Sequence, residues 1–79
     1  MLESKIQSTI IKRLEASGCY VIKLGVTNKT GIPDLMVIHP DSVVEFIEVK
    51  RPGKKPTAIQ QFRMKELQSF GIKTSIQYE

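Results

Sequence analysis

The sequence has little of what disulfide-bonded, membrane-spanning or base-reading proteins require. Its one cysteine, Cys19, excludes an internal disulfide and a thiolate-rich metal cage. Tryptophan is absent, only 6% of the residues are aromatic, and nothing resembles a recognition helix or an aromatic platform for bases. The amino-terminal region is charged and has no long apolar run, which argues against a signal peptide or a membrane span. We therefore expect a cytoplasmic protein without a membrane partner.

What the chain does have is positive charge and enough apolar residues for one core. Its 12 lysine and arginine residues outnumber its 8 acidic residues, and the net charge of +4 favours partners that carry phosphate, although many basic domains are merely soluble. With 41% hydrophobic residues it can fill one core but not two, so we predict a single domain over residues 1–79. A chain of this size buries roughly 60 to 65% of its unfolded surface, so self-association would stabilise it.

Apolar spacing and turn formers divide the chain into six elements. Gly18 and Gly71 are expected to end the two helices, and Thr57 and Gln60 have the spacing of a capping box at the start of the second. The predicted elements are a helix over 2–17, strands over 20–24, 35–39 and 43–50, a helix over 58–70 and a strand over 72–78. This order, αβββαβ, predicts an α/β fold with a mixed central β-sheet flanked by helices, either one on each side or both on one face.

Each predicted helix carries an apolar stripe that we expect to be buried. The first stripe contains Leu2, Ile6, Ile10 and Leu14, and the second contains Ile59, Phe62, Leu67 and Phe70. Ile11 and Met64 fall outside these stripes, so we expect them to be exposed. Glu3 falls inside the apolar sector of the first helix, which is an unusual place for a carboxylate.

The second and third strands are separated by Pro40-Asp41-Ser42, a loop of hairpin length, and should pair antiparallel. If this loop has three residues, the same register brings Asp34 opposite Glu48. Because side chains alternate along a strand, Glu48 and Lys50 point to the same face. Two carboxylates and an ammonium group are therefore predicted to lie together.

Opposed carboxylates at Asp34 and Glu48, with Cβ atoms about 4.5 to 5.5 Å apart, are destabilising unless a positive charge lies between them. A divalent cation such as magnesium, which takes carboxylate, water and phosphate oxygens, would resolve the repulsion. The Val49 carbonyl is a further candidate ligand because the metal would lie against the strand. Lys50 would orient or help deprotonate a water and stabilise charge on a phosphate, so this set indicates phosphodiester hydrolysis.

Three motifs, Gly31-Ile32-Pro33-Asp34, Glu48-Val49-Lys50 and the helix residue Gln60, resemble the VRR-NUC group of the PD-(D/E)XK nuclease superfamily over nearly the whole chain. The resemblance implies a PD-(D/E)XK nuclease-like core and a metal-dependent DNA endonuclease. It also implies that Asp34, Glu48 and the Val49 carbonyl bind Mg²⁺ or Mn²⁺.

The resemblance assigns supporting roles to three more residues. Lys50 assists the nucleophilic water, Gln60 supports the site, and Glu3 looks like the first-helix glutamate of the superfamily. Two of these roles have ordinary alternatives: the capping box with Thr57 fully explains Gln60, and helices generally favour acidic residues in their first turn. We assign no chemistry to Cys19, a small apolar side chain here, nor to the turn residue His39.

Family members that consist of this domain alone are often virus-encoded and look like dimeric Holliday junction resolvases. The resemblance therefore implies a homodimer that cuts branched DNA, acts in DNA repair, and works in the host cell cytoplasm if a virus encodes it. Lys29, Arg51, Lys54 and Lys55 are the candidates for contacts with DNA phosphates.

Two functions from other classes compete with the nuclease. A non-catalytic nucleic-acid-binding module fits the charge and size equally well, and a Glu-x-Lys pair on a strand is usually a solvated face. A structural or protein-interaction domain predicts neither metal binding nor salt-sensitive DNA affinity. Metal-dependent cleavage discriminates among these functions, because adjacent carboxylates repel phosphate unless a metal binds them.

Overall fold

The computed structural model describes residues 2–78, which form two helices and four strands in the predicted order αβββαβ. These elements are α1 (Glu3–Ala16), β1 (Tyr20–Lys23), β2 (Leu35–Ile38), β3 (Val44–Lys50), α2 (Ala58–Ser69) and β4 (Lys73–Tyr78). Each lies close to its predicted bounds. Neither helix in this part of the chain is long and apolar enough to cross a membrane.

The strands form one mixed sheet in the order β1-β2-β3-β4. β2 pairs antiparallel with β1 and β3, whereas β3 pairs parallel with β4 through a crossover that contains α2. Arg13 of α1 donates a hydrogen bond to Gln77, and Gln68 of α2 donates one to Thr74. Thr74 and Gln77 are three residues apart on β4, so their side chains point to opposite faces of the sheet. The two helices therefore lie on opposite sides of the sheet.

The core lies between α1 and the sheet. Ile6 and Ile10 are fully buried, as predicted, and they pack against the sheet residues Leu35, Val37, Ile47 and Val49. Leu14 is partly buried, whereas Leu2 is exposed because it precedes the first turn of the helix. The prediction that Ile11 is exposed was wrong: a helix on a sheet buries a wide arc, and Ile11 packs against the core at its margin.

The apolar stripe predicted for α2 was also wrong, except at Leu67. Phe62 and Phe70 are 55% and 80% exposed and Ile59 is exposed too, whereas Met64, expected at the surface, is 8% exposed. The least exposed residues follow another stripe, formed by Gln60, Arg63, Met64, Glu66 and Leu67. Since most of this stripe is polar, apolar spacing predicted a face that overlaps the packed face at Leu67 but is rotated away from Met64.

The hairpin between β2 and β3 has the predicted three-residue loop. The His39 N–H donates to the Val43 carbonyl at 2.9 Å, and the Ser42 N–H donates to the His39 carbonyl at 2.9 Å. Ser42 has φ 73°, the left-handed conformation that lets a three-residue loop close with the correct twist. The loop therefore fixes the register of the two strands.

Candidate active site

Asp34 and Glu48 lie opposite each other at the end of the hairpin away from its turn. The register pairs Leu35 with Ile47, and one further step, just before β2 begins, pairs Asp34 with Glu48. The Asp34 carboxylate lies near enough to Glu48 to raise its pKa. Lys50 points to the same face, with its Nζ 3.7 Å from Glu48 Oε2. The structure therefore brings these three predicted site residues together.

Asp34 is held in place by the strands on both sides. Its backbone carbonyl accepts the Leu24 N–H at 2.8 Å, and its Oδ2 accepts the Val49 N–H at 2.9 Å. A carboxylate that bonds a backbone N–H has little freedom to turn away. The second carboxylate oxygen is thus directed by the paired strands rather than by the loop before Asp34.

The last backbone pair between β2 and β3 is Leu35 and Ile47, so Val49 lies two residues beyond it. Hydrogen-bonded pairs alternate along an antiparallel ladder, and the same register extended by two residues would bring Val49 opposite Pro33 at such a position. Proline has no N–H to offer the Val49 carbonyl. Pro33 therefore cannot donate to the Val49 carbonyl, and the role of this carbonyl as a metal ligand stays a prediction.

Glu48 is a carboxylate in a place that disfavours its charge. It is 1% exposed, and its Oε1 is buried without a hydrogen-bond partner among residues 2–78. Burial, followed by the nearby Asp34 carboxylate, raises the pKa of Glu48 from 4.5 to about 8, against the opposing effect of Lys50. A divalent cation would offset the repulsion and coordinate the unpartnered oxygen, so these residues fit a hard metal ion.

The ligands that the protein offers are few. Within residues 2–78 no three His, Cys, Asp or Glu side chains lie close enough to hold a metal ion. The predicted donor set would therefore be two carboxylates and the Val49 carbonyl, with the other positions left to water and phosphate, as Mg²⁺ prefers. Glu3, in the first turn of α1, does not join such a group, and its part in the site stays a prediction.

Gln60 serves as a helix cap. Its Oε1 accepts the Thr57 N–H at 2.9 Å, and Thr57 Oγ1 accepts the Gln60 N–H at 3.3 Å, which completes the predicted capping box. Among residues 2–78 no hydrogen bond joins its side chain to Asp34, Glu48 or Lys50. A catalytic role for Gln60 therefore stays a prediction alongside the observed cap.

Arg63 is a site-supporting residue that the sequence did not reveal. Its Nε donates to the Thr30 carbonyl at 2.8 Å, and its Nη1 lies 3.0 Å from Glu66 Oε1. At Gly31, which has φ +84°, an added Cβ would lie 2.8 Å from Ile59 Cγ1 and collide with it. The Gly-x-Pro-Asp spacing hinted at the close approach, and together these contacts fasten α2 to the segment that leads into Asp34.

Four exposed cations lie in loops that adjoin the site residues in sequence. Lys29 lies in the loop before β2, and Arg51, Lys54 and Lys55 follow directly after Lys50. All four are exposed, and none forms an ion pair within the part of the chain that the structure describes. Unpaired exposed cations suit contacts with phosphate, which stays a prediction for them.

Known proteins resemble this chain in sequence and in fold. The family model of the VRR-NUC domain matches residues 10–78. "Putative nuclease p44" of Acyrthosiphon pisum secondary endosymbiont phage 1 is 31% identical over 58 residues, which span 73% of this chain and 62% of p44. A solved structure described as a VRR_NUC domain has a TM-score of 0.84 and 33% identity, covering 94% of this chain and 81% of its own. The family model and the solved structure are both of a VRR-NUC domain, and the phage protein is described as a nuclease.

Proposed function

This chain belongs to the VRR-NUC domain family, a nuclease domain family, and from that premise we propose that residues 1–79 act as one metal-dependent DNA endonuclease. The observation that carries the proposal is the Asp34–Glu48 pair, in which a buried carboxylate oxygen lacks a partner. A module that only bound nucleic acid would gain nothing from two adjacent carboxylates, which repel phosphate without a metal. Metal-dependent cleavage accounts for the pair better than binding alone.

Each residue of the site has a distinct task in this proposal. Asp34, Glu48 and the Val49 carbonyl hold Mg²⁺ or Mn²⁺. The bound ion supplies a Lewis acid for the scissile phosphate and lowers the pKa of water. Lys50 orients the attacking water and offsets the negative charge that develops on the phosphate. Hydrolysis adds water across one P–O bond and leaves a phosphate on one strand end and a hydroxyl on the other.

The phosphates on either side of the scissile bond are contacted, in this proposal, by the exposed cations Lys29, Arg51, Lys54 and Lys55. Contacts of this kind position the backbone without reading sequence. We therefore expect DNA affinity that falls with salt and depends on the shape of the DNA rather than on its bases.

Substitution of Glu48 tests the nuclease directly. Glu48→Gln keeps the shape of the side chain but cannot supply the negative charge, so cleavage of labelled DNA in Mg²⁺ or Mn²⁺ should be lost while DNA binding persists. Asp34→Asn and Lys50→Ala should behave alike. The matched control is Glu45→Gln, a buried acid on the same strand but on the opposite face. Cleavage by folded Glu48→Gln at the wild-type rate, or cleavage unaffected by EDTA, would overturn the proposal.

We further propose that two copies pair through the part of the sheet that α2 leaves uncovered. Tyr20 and Ile22 pair with Ile38 and Met36 and share the face of Asp34, yet Tyr20 is 67% exposed. Exposed apolar residues in one patch favour association. A two-fold dimer would fix the spacing of its two sites, so branched DNA that presents two strands would engage both.

Sedimentation at assay concentrations, beside cleavage rates on four-way and linear DNA, tests this dimer. Ile22→Lys should give a monomer that loses any preference for the junction. Val26→Lys, at a fully exposed loop position, is the control and should leave both properties unchanged. A wild-type monomer that cuts both substrates equally would refute the dimer proposal but leave the nuclease proposal standing.

A further inference from the structure

A row of hydrogen-bonded side chains lies on the face of the sheet away from Asp34 and Glu48. Cys19 Sγ is 3.5 Å from His39 Nδ1, and His39 Nε2 is 2.8 Å from Glu45 Oε1. The register explains the meeting, because one step beyond the pair Tyr20 and Ile38 brings Cys19 opposite His39. The nuclease site uses none of the three side chains.

Glu45 carries the charge that organises this row. It is 6% exposed, and burial by itself raises its pKa, but hydrogen bonds from Ser75 and His39 and the charge of Lys73 outweigh burial and hold the pKa below its usual value. Ser75 Oγ donates to Glu45 Oε2 at 2.7 Å. An ionised carboxylate only accepts hydrogen bonds, so the proton of a neutral His39 belongs on Nε2.

That tautomer leaves the Nδ1 lone pair of His39 facing Cys19. A nucleophile within reach of a base, with the base oriented by a third group, is the arrangement that activates cysteine for attack. Ser17 Oγ, 4.0 Å from Cys19 Sγ, is a second polar group beside the sulfur. Cys19 also keeps part of its surface exposed.

We propose that Cys19 is a covalent modification site for small uncharged electrophiles such as hydrogen peroxide, with His39 as its base and Glu45 as the positioning residue. His39 Nδ1 takes the thiol proton, and the sulfur attacks one oxygen of peroxide. An S–O bond forms and the O–O bond breaks, so sulfur is oxidised to the sulfenic acid and peroxide is reduced. The departing hydroxide takes the proton from His39 and leaves as water.

Alkylation by iodoacetamide measures the same nucleophile without an oxidant, because an S–C bond forms as the C–I bond breaks and iodide leaves. An unassisted thiol is only a few per cent ionised at pH 7, so assistance by His39 should raise the rate by about tenfold or more. The full chain is compared, by mass spectrometry, with the same chain unfolded in urea. This comparison needs no variant to fold.

Substitutions then test whether the faster alkylation of Cys19 depends on His39 and Glu45. His39→Gln should slow alkylation of the folded chain to the rate of the unfolded chain, and Glu45→Gln should slow it and move its pH profile. Lys73→Gln, which removes a neighbouring charge but no member of the row, should change the rate less than either. Brief exposure to hydrogen peroxide should give a product that dimedone traps in the wild type and not in Cys19→Ser.

The proposal is overturned if the folded wild type reacts no faster than the unfolded chain at pH 7. It is also overturned if folded His39→Gln, checked by circular dichroism, reacts as fast as the wild type. Either result would mean that Cys19 is only a small side chain packed against the core, where it also makes contacts. Both outcomes are independent of whether the chain cleaves DNA.

Discussion

The Asp34 carboxylate accepts the Val49 N–H at 2.9 Å, just beyond the last backbone pair of β2 and β3, Leu35 and Ile47. The residue before it, Pro33, has no N–H that could bond the Val49 carbonyl. The Pro33-Asp34 dipeptide thus satisfies the donor of Val49 without offering a donor to its carbonyl. This local arrangement explains in physical terms why proline and aspartate are adjacent at the site.

Pro33→Ala should weaken Mg²⁺ binding. The alanine N–H can bond the Val49 carbonyl, and a hydrogen bond worth about 0.5–1.5 kcal/mol that must break before the metal binds lowers the affinity roughly two- to tenfold. Calorimetry measures the affinity, and Pro40→Ala in the hairpin loop, at the other end of the strands, serves as the control. Unchanged affinity in folded Pro33→Ala would show that the carbonyl is not a ligand.

Mg²⁺ affinity should rise with pH up to about 8 and then level off. The pKa of Glu48 is raised to about 8, so below that pH a proton must leave as the cation binds. The affinity should change by up to about tenfold per pH unit in that range. Titrations in buffers of different ionisation enthalpy count the protons released. Release of no proton by the wild type at neutral pH would contradict the prediction, and Glu48→Gln should release none.

Without metal, stability should fall as pH rises from 4.5 through 8. In this window the folded chain keeps a proton on Glu48 that the unfolded chain has lost, so the unfolded state is favoured increasingly. Melting temperatures in EDTA at several pH values measure the slope, which Glu48→Gln should flatten. Added Mg²⁺ should raise the melting temperature most near pH 8, the upper end of this pH window. A metal-free wild type that became more stable across this window would argue against the raised pKa.

Arg63→Ala should reduce both stability and Mg²⁺ affinity. It removes the charged hydrogen bond to the Thr30 carbonyl, an interaction typically worth about 1.5–3 kcal/mol, and so loosens the segment that leads into Asp34. Lys65→Ala removes an exposed cation from the same helix and is the matched control. Because Mg²⁺ affinity is measured without DNA, a loss cannot arise from a missing phosphate contact. Wild-type melting and affinity in Arg63→Ala would show that this contact does not position Asp34.

Met64→Ala should destabilise the fold far more than Phe62→Ala. Met64 is buried, and truncating a buried methionine costs about 2–5 kcal/mol. Phe62 is mostly exposed, and the Arg63 guanidinium 5.4 Å from its ring centre contributes about 0.5–1 kcal/mol at an exposed site. Urea unfolding gives both values. Equal losses would mean that α2 packs on the side that the apolar spacing predicted.

The hairpin could be predicted because its determinants are local. A three-residue loop allows one register, and that register alone places Asp34 opposite Glu48 and puts Lys50 on the same face. The packed side of α2 could not be predicted in the same way. Its contact face includes the polar residues Gln60 and Arg63. Gln60 is satisfied by its local cap with Thr57, and Arg63 by the Thr30 carbonyl, which comes near only in the folded chain.

The Cys19, His39 and Glu45 row was missed for a related reason. Its geometry depends on the β1–β2 register, and the long loop between those strands does not fix a register as a short turn does. Each of the three residues also has an ordinary explanation when it is considered singly. Their chemistry became visible only when β1, β2 and β3 were placed side by side.

The parallel pairing of β3 with β4 sets Tyr78 beside Lys50. A polypeptide attached directly after Tyr78 would therefore begin next to the residue that we propose meets the phosphate. An affinity tag or fluorescent protein placed there would compete with the substrate for space, and a polyhistidine tag would bring extra metal ligands to the same place. For purification and assay, the terminus that carries the tag therefore affects the access of substrate and metal to the site.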